Sequence, residues 1–257
     1  MLKKRLVGMV TVKDGWAVQS FGYGRYLPLG RPEVMTENLD RWGADEIILQ
    51  CIDRSAERHG PDLELLERVG RKGLSTPLIY AGGIRTTEDA VAAVKSGADR
   101  VCVDALLHDA PERLRELSAP LGAQAVIASL PLSLGASGVA WLDYRNGREQ
   151  PLSARLLDVL RSGVVSEALV IDWRHEGAAG GFDLGLLAAF PVLGMPIIAF
   201  GGLSEPAHLR EALESDRVSA VAIGNFLSYR EHAIHHYKRQ LAGLPIRPSP
   251  TAGATPS

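Results

Sequence analysis

Eight short apolar runs, separated by charged segments of helical character, constrain the fold of this chain more than any other feature of its sequence. Most of the runs are continuous rather than alternating, which is typical of parallel strands whose outer faces are covered by helices. The predicted strands span residues 6–12, 46–52, 77–81, 100–104, 125–130, 168–173, 196–200 and 220–224. Eight strand–helix units in 257 residues favour a single closed (β/α)8 barrel over an open doubly wound sheet.

An internal repeat divides this predicted barrel into two halves. The matching pairs are Gly82-Gly83 with Gly201-Gly202, residues 101–107 with residues 221–227, and Glu46 with Glu167. All three pairs are separated by about 120 residues, and several matches in one register are typical of a duplicated unit. The repeat therefore predicts two half-barrels of four βα units each.

The parts of the chain outside the repeat are an insertion and a tail. Asn146-Gly147 is a hairpin turn signal and predicts a hairpin inserted after the fifth strand. We expect one domain, the barrel, over residues 1–243, and a disordered tail over residues 244–257, which are rich in Pro, Ser, Thr, Gly and Ala. Inside the repeat, Thr86 lies three residues before Asp89, and this spacing predicts a capping box at the start of a helix over residues 88–95.

The composition argues against several classes of protein. The formal net charge is −2 and there is no long run of Lys and Arg, so nucleic acid is not an expected partner. The apolar run near the N-terminus is too short for a signal peptide, and Pro and Gly interrupt the longer uncharged stretches, so we expect a cytoplasmic protein without a membrane segment. Cys51 and Cys102 lie in apolar runs and are expected to be buried, reduced thiols. No metal or cofactor motif is present, and neither a metal nor a cofactor is expected.

The two glycine pairs follow strands at the end of the barrel where chemistry takes place in such folds. Paired glycines allow backbone N–H groups to approach a phosphate closely, and the next helix start adds partial positive charge. The predicted phosphate-binding residues are Gly82, Gly83, Asp104, Gly201, Gly202, Gly224 and Asn225. The alternative is that the glycines only make tight turns, and Asp104 is a poor neighbour for a phosphate because of its charge.

Several short motifs occur along the chain in a distinctive order. They are Met1-Leu2-Lys3-Lys4-Arg5, Val12-Lys13-Asp14-Gly15, Gly43-Ala44-Asp45-Glu46, Gly82-Gly83-Ile84-Arg85, Gly97-Ala98-Asp99-Arg100-Val101 and Gly181-Phe182-Asp183. Together they resemble the cyclase-subunit family of imidazole glycerol phosphate synthase, which acts in histidine biosynthesis. The resemblance implies a duplicated (β/α)8 barrel with lyase activity on a phosphorylated substrate. It also implies a heterodimer with a glutaminase subunit, which passes ammonia through the barrel core.

The chain departs from that family at the positions of its catalytic side chains. The resemblance places an aspartate general acid/base at Thr11 and its partner at Leu130, and it places a further aspartate at Cys51 and a lysine at Gln19. Neither Thr11 nor Leu130 can transfer protons near neutral pH, and general acid–base catalysis contributes about 10²–10⁴ per group. We therefore expect inefficient ring closure. The remaining candidate catalytic residues are Asp53, Asp172 and Glu176, which follow strand ends and are equally able to cap turns.

Four charged residues match the family's ring at the N-terminal end of the barrel. They are Arg5, Glu46, Arg100 and Glu167, with arginine in place of lysine at the third position. The resemblance implies an ammonia gate above a docked glutaminase. A structural network of ion pairs that plugs the barrel is the alternative.

The pattern of loss and retention resembles diverged members of the family that occur with surface-polysaccharide genes. That resemblance implies an amidotransferase-complex subunit acting on a sugar-nucleotide, with an ATP-dependent sugar-amidating synthetase as a further partner. An active histidine-pathway cyclase with displaced acids and a non-catalytic scaffold that activates a glutaminase are the alternatives. The first loop, residues 16–32, differs strongly from the usual loop of the family. Its glycines predict a mobile lid or a plain solvated loop.

Histidines form two further groups. His232, His235 and His236 share one face of the last predicted helix and are expected to be solvated rather than to bind a metal. His175 lies nearer the barrel mouth and is a candidate substrate contact.

Overall fold

A computed structural model describes residues 3–248. The strands are β1 (Arg5–Lys13), β2 (Trp16–Phe21), β3 (Arg25–Gly30), β4 (Glu46–Cys51), β5 (Leu78–Ala81), β6 (Arg100–Val103), β7 (Val126–Gly135), β8 (Gly138–Asp143), β9 (Arg148–Pro151), β10 (Glu167–Asp172), β11 (Ile197–Phe200) and β12 (Val218–Ile223). The α-helices are α1 (Pro32–Arg41), α2 (Ile52–Ala56), α3 (Leu63–Gly70), α4 (Thr87–Lys95), α5 (Ala105–Asp109), α6 (Leu114–Leu121), α7 (Ala154–Arg161), α8 (Gly185–Ala189), α9 (Pro206–Glu214) and α10 (Ala233–Gln240). Short 3₁₀ turns span Pro111–Arg113, Ala123–Ala125 and Asn225–Tyr229.

Eight parallel strands close into a barrel. Their order is β1-β4-β5-β6-β7-β10-β11-β12, and β12 pairs with β1 to complete the circle. This confirms the predicted (β/α)8 fold and all eight predicted strands, with bounds that differ mainly at the end of β7.

The barrel strands bury both of their faces in two separate cores. On β1, Val7 and Met9 belong to an inner core inside the barrel, whereas Leu6 and Val10 belong to an outer core under the helices. Burial on both faces explains why the strands appear in the sequence as continuous apolar runs.

Two antiparallel extensions rise from the C-terminal ends of the barrel strands. β2 pairs with both β1 and β3, so residues 16–30 form a hairpin rather than a plain solvated loop, and the predicted mobility stays a prediction. The predicted insertion after the fifth barrel strand is confirmed. Strand β7 continues into β8 and β9, and the amides of Asn146 and Gly147 donate to the Asp143 carbonyl in the turn.

Local signals at the helix ends behave as predicted where they are strongest. At the start of α4, the Asp89 amide donates to Thr86 Oγ1 at 3.2 Å and the Thr86 amide donates to Asp89 Oδ2 at 3.0 Å. This reciprocal pair is the predicted capping box. No helix within residues 3–248 combines the length and the apolar character needed to cross a bilayer.

The chain segment after α10 returns to the start of β1. The Lys4 amide donates to the Pro245 carbonyl at 2.7 Å, and the Arg247 amide donates to the Lys4 carbonyl at 2.9 Å. Residues 244–248 are therefore paired with the barrel, contrary to the prediction of a tail that is disordered from residue 244. These hydrogen bonds with Lys4 order a segment whose composition alone predicts disorder. The rest of the predicted tail, residues 249–257, lies outside the described residues.

Candidate functional site

A cavity of about 270 Å³ opens at the C-terminal end of the barrel strands. Its floor includes Ala81 and Cys102, which also belong to the inner core, so the cavity lies directly above the barrel interior. Its polar and aromatic lining comprises Lys13, Tyr23, Tyr26, Gln50, Cys51, Asp53, Glu57, Asp104, Ser129 and Tyr144. Most of these residues come from the first half of the barrel, so we call it the first-half cavity.

The β2–β3 hairpin covers the second half of the mouth. The Ser20 amide donates to Asn225 Oδ1 at 3.0 Å, and Asn225 Nδ2 donates back to the Ser20 carbonyl at 2.6 Å. Glu176 Oε2 accepts from Ser20 Oγ at 2.9 Å and from the Tyr23 amide at 3.2 Å. Tyr23 then reaches across the mouth, where its hydroxyl donates to Gln50 Oε1 at 3.2 Å. These contacts hold the hairpin over the mouth of the barrel.

Both glycine pairs occupy turns that no other residue fits. A Cβ on Gly82 would lie 2.4 Å from the Cys51 carbonyl oxygen, and one on Gly201 would lie 2.4 Å from the Asp172 carbonyl oxygen. Their φ angles, +133° and +107°, also favour glycine. The same crowding in both halves reflects the duplicated architecture. It explains the glycines by chain geometry, and phosphate binding remains a proposal.

Asp104 has a role in the structure that the prediction of phosphate binding did not include. Its Oδ1 accepts from Ser55 Oγ at 2.9 Å and from the Ala105 amide at 2.6 Å, while its Oδ2 accepts from the Tyr144 hydroxyl at 2.6 Å. The Gly83 amide donates to the same Ser55 hydroxyl at 2.8 Å. The Asp104 side chain therefore lies at the first glycine turn and accepts hydrogen bonds from the donors next to it.

Only one of the three candidate catalytic carboxylates lines the first-half cavity. Asp53 lies at its rim and accepts from the Asp14 amide at 2.7 Å. Asp172 is buried, and its Oδ2 accepts from the Asp183 amide at 2.8 Å and faces His175 Nδ1 at 2.7 Å. Glu176 is buried under the hairpin, and this burial raises its pKa despite the hydrogen bonds it accepts. Asp172 and Glu176 hold loops in place, whereas Asp53 faces the space where a ligand fits.

The opposite end of the barrel carries a closed ring of four ionic side chains. Arg5 Nη1 donates to both carboxylate oxygens of Glu46 at 2.9 and 3.0 Å, and Arg5 Nη2 pairs with Glu167. Arg100 completes the ring, with Nη2 2.7 Å from Glu167 Oε2 and Nη1 3.5 Å from Glu46 Oε1. All four positions predicted for the gate are thus brought together. The ring forms the top of a hollow of about 930 Å³ on the N-terminal face.

The pKa values of the two carboxylates in the ring are shifted in opposite directions. Burial opposes the ionisation of Glu167, but the charges of Arg5 and Arg100, with hydrogen bonds from Arg5 and Ser219, outweigh it and lower its pKa. Burial is stronger than the same attractions at Glu46, whose pKa is raised. A buried charge pair needs this kind of mutual satisfaction to be tolerated.

Comparison with known proteins matches residues 5–233 to the histidine biosynthesis protein family. The chain belongs to this family. Imidazole glycerol phosphate synthase subunit HisF of Thermococcus gammatolerans is 31% identical, over 96% of this chain and 99% of its own length. The subunit of the same name from Streptococcus gordonii is 29% identical, over 96% of this chain and its full length. A putative subunit hisF2 from Vibrio vulnificus is also 29% identical, over 94% of this chain and 89% of its own length.

In this member of the histidine biosynthesis family, the position assigned to Leu130 needs correction. The Leu130 side chain is fully buried in the outer core, and Pro131 is the neighbouring residue that lines the cavity. Because successive side chains of a strand face opposite ways, the inward position at this strand end is Pro131. Alternation from Val7 and Met9 places Thr11 on the inner face of β1, as the resemblance implied. Neither Thr11 nor Pro131 supplies a proton.

Other predicted positions are also buried. Burial raises the pKa of the Cys51 thiol to about 12, so this residue stays a neutral thiol at the cavity wall. Gln19 is buried within β2.

His232 and His235 stack with ring centroids 5.9 Å apart, and no group of three or more His, Cys, Asp or Glu residues within residues 3–248 is placed to hold a metal ion.

Ser129, Gln50 and Tyr144 are among the cavity residues that sequence reasoning missed. Ser129 and Gln50 lie inside apolar strands, where the side chain facing the barrel axis was available as a signal through its alternation with Ile127 and Ile48. Tyr144 comes from the inserted hairpin, which has no counterpart in the repeat. Its contact with Asp104 required the three-dimensional structure.

Proposed function

We propose that this protein is the synthase-type subunit of a glutamine amidotransferase, receiving ammonia from a glutaminase partner and acting on a phosphorylated substrate. The observation that carries the proposal is the closed ring of Arg5, Glu46, Arg100 and Glu167 beneath a chemically equipped cavity. The relatives named as imidazole glycerol phosphate synthase subunits align over nearly the whole chain and support the same reading.

The path proposed for ammonia runs along the barrel axis. The ring separates the base hollow from the inner core, and small side chains such as Ala81, Ala220 and Ala222 belong to that core. Ala81 and Cys102 then form part of the cavity floor. A small neutral molecule that enters through the ring would therefore emerge at the cavity without crossing bulk water.

We place the substrate phosphate at the second half of the mouth, under the β2–β3 hairpin and near Gly202 and the Gly224-Asn225 turn. This turn has no acidic residue at the position that Asp104 occupies in the first half. Among the candidate carboxylates, Asp53 is the one positioned to transfer a proton, because it lines the cavity without being enclosed.

A histidine-pathway cyclase is the second candidate, favoured by the names of the relatives. Thr11 and Pro131 at the inner strand ends argue against efficient ring closure, since neither exchanges protons near neutral pH. We therefore propose that the complex uses ammonia from the glutaminase but transfers it to a different acceptor. A sugar-nucleotide that is amidated together with an ATP-dependent synthetase is one such acceptor. A scaffold that only activates the glutaminase is the third reading.

Association with a glutaminase tests the proposal directly. The purified chain is mixed with the glutaminase subunit of the same organism, and complex formation and glutamine hydrolysis are measured. Gln124, exposed at the rim of the base hollow, is replaced by Trp to obstruct docking, and Gln150, exposed near the mouth, is replaced by Trp as the control. We expect stimulation of hydrolysis that Gln124→Trp abolishes and Gln150→Trp preserves.

Ring closure separates the histidine-pathway cyclase from the other two readings. Free ammonia and the ribulosyl carboxamide ribotide are supplied to the chain, and formation of the imidazole product is followed. We expect no appreciable product, and turnover at the rate of an ordinary cyclase subunit would favour the histidine-pathway reading. Absence of any complex with the glutaminase would contradict the proposed function itself.

A further inference from the structure

The two halves of the barrel mouth differ at one corresponding backbone position. Asp104 follows β6, and Gly224 follows β12 at the equivalent place in the repeat. Their backbone angles are similar, with φ and ψ of −131° and −78° at Asp104 and of −108° and −105° at Gly224. The same turn thus carries a carboxylate in one half and no side chain in the other.

The Asp104 carboxylate already occupies the hydrogen-bond donors around the first glycine turn. The Ser55 hydroxyl, the Tyr144 hydroxyl and the Ala105 amide all donate to it. Burial, together with the adjacent Asp104 charge, raises the pKa of Tyr144, so this phenol remains a donor. A carboxylate offers about four lone-pair sites. One site therefore remains for a further donor, whereas a phosphate would meet a like charge.

The rest of the first-half cavity is equally unsuited to a second phosphate. Asp53, Glu57 and Asp104 line it, and the ammonium of Lys13 lies 2.6 Å from Asp14 Oδ2 outside. Ser129 lines the cavity from the inner face of β7. Its hydroxyl is therefore available to a polar ligand in the cavity.

We propose that the first-half cavity binds the hydroxyl-bearing, phosphate-free end of the substrate, with Asp104 and Ser129 as its hydrogen-bond partners. This inference rests on the proposed function, in which the phosphate end of the substrate is held at the second half. Asp104 is then the residue that sets specificity against substrates with a phosphate at both ends. Selection of this kind works by like-charge repulsion as much as by attraction.

Two simple probes separate the alternatives. Ribose 5-phosphate carries one phosphate and several hydroxyls, and ribulose 1,5-bisphosphate carries a phosphate at each end. Calorimetric titration of the intact chain is expected to show roughly tenfold tighter binding of the monophosphate. Asp104→Asn, which keeps the side-chain shape, and Asp104→Gly, which copies the other half, should each reduce that preference, while Asp53 and Glu57 keep part of it.

Matched variants identify which group is responsible. Asp158→Asn removes the same charge from an exposed side chain on α7 and should leave the preference unchanged. Gly224→Asp, which copies Asp104 into the second half, should abolish binding of both probes and of inorganic phosphate. Ser129→Ala should weaken the monophosphate without affecting inorganic phosphate.

The outcomes distinguish this inference from the proposed function. If the unaltered chain binds inorganic phosphate yet prefers the bisphosphate, or if the Asp104 variants keep the original preference, the inference is wrong while the phosphate site stands. Failure of the unaltered chain to bind inorganic phosphate would overturn both the site and the inference. The glutaminase experiment is independent of either result.

Discussion

Ser20 and Asn225 lie 205 residues apart and form two hydrogen bonds with each other. The Ser20 backbone supplies both the donor and the acceptor, and the Asn225 side chain matches them as another strand would. Because Ser20 is fully buried, the pairing satisfies two polar groups that water does not reach. It anchors the β2–β3 hairpin to the turn after β12 and so gives the mouth an asymmetric shape.

Removing the Asn225 side chain should loosen that hairpin. In Asn225→Ala the Ser20 amide and carbonyl lose their partners, and an unsatisfied buried group costs about 1–3 kcal/mol. We expect faster hydrogen exchange over residues 16–30 and a lower free energy of unfolding in urea. Asn38→Ala on the outer helix α1 serves as the control. Unchanged exchange in the hairpin would show that other contacts hold it.

The second anchor of the hairpin should make stability depend on pH. Burial raises the pKa of Glu176 above the ordinary value of 4.5, so folding favours the protonated acid. Its contribution is full below that ordinary value and is lost as the pH rises through the folded pKa. The free energy of unfolding of the protein, minus that of Glu176→Gln, should therefore fall as pH rises above about 4.5.

Urea unfolding of both proteins across this pH range measures that difference. Glu116→Gln, at an exposed position on α6, provides the matched charge change. A difference that rises with pH, or one equal to that of the Glu116 variant, would contradict the assigned role of burial.

The hairpin also shows what the sequence could and could not predict. The barrel strands were predictable because burial on both faces leaves uninterrupted apolar runs. Residues 16–30 were harder to predict, because Gly22 and Gly24 at the tip are typical of a loop. Strand β2 of this segment is buried by contacts with residues distant in sequence. Glycine content predicts local flexibility, but it does not predict a contact with a residue as distant in sequence as Asn225.

The candidate site was predicted unevenly for a related reason. Glu46 and Glu167 were identified by the repeat and by resemblance, and the structure brings them together with Arg5. Leu130 was assigned wrongly because a shift of one residue along a strand exchanges its inner and outer faces. The run offers only Ser129 as an internal mark of that register, and the structure shows that Ile127, Ser129 and Pro131 face the barrel axis.

Breaking the ionic ring on one side should be strongly destabilising. Arg5→Met leaves Glu46 and Glu167 buried with Arg100 as their only cation in the ring, and loss of one partner of a buried pair costs about 3–5 kcal/mol. Urea unfolding should show this loss, whereas Arg161→Met on the exposed face of α7 should have little effect. If the two variants were equally stable, the ring would contribute nothing to the fold.

The glycine turns at the mouth should resist substitution for two separable reasons. A side chain on Gly201 meets both an unfavourable positive φ and the Asp172 carbonyl oxygen 2.4 Å away. Gly147, in the turn between β8 and β9, shares the positive φ at +70° but has nothing within 4 Å of an added Cβ. Gly147→Ala should therefore cost about 1 kcal/mol, for the backbone conformation alone.

Gly201→Ala should cost about 1–3 kcal/mol more than Gly147→Ala, since the crowded turn must also move its backbone. Chemical denaturation of both variants measures the difference. Equal losses would mean that the turn relaxes without strain, and that Gly201 is then required by a ligand rather than by the chain. A large excess would instead show that substitutions at Gly201 report on folding. Gly224 is a less crowded place to test phosphate binding, because its φ is −108° and an added Cβ would come no closer than 3.3 Å, to the Phe200 ring.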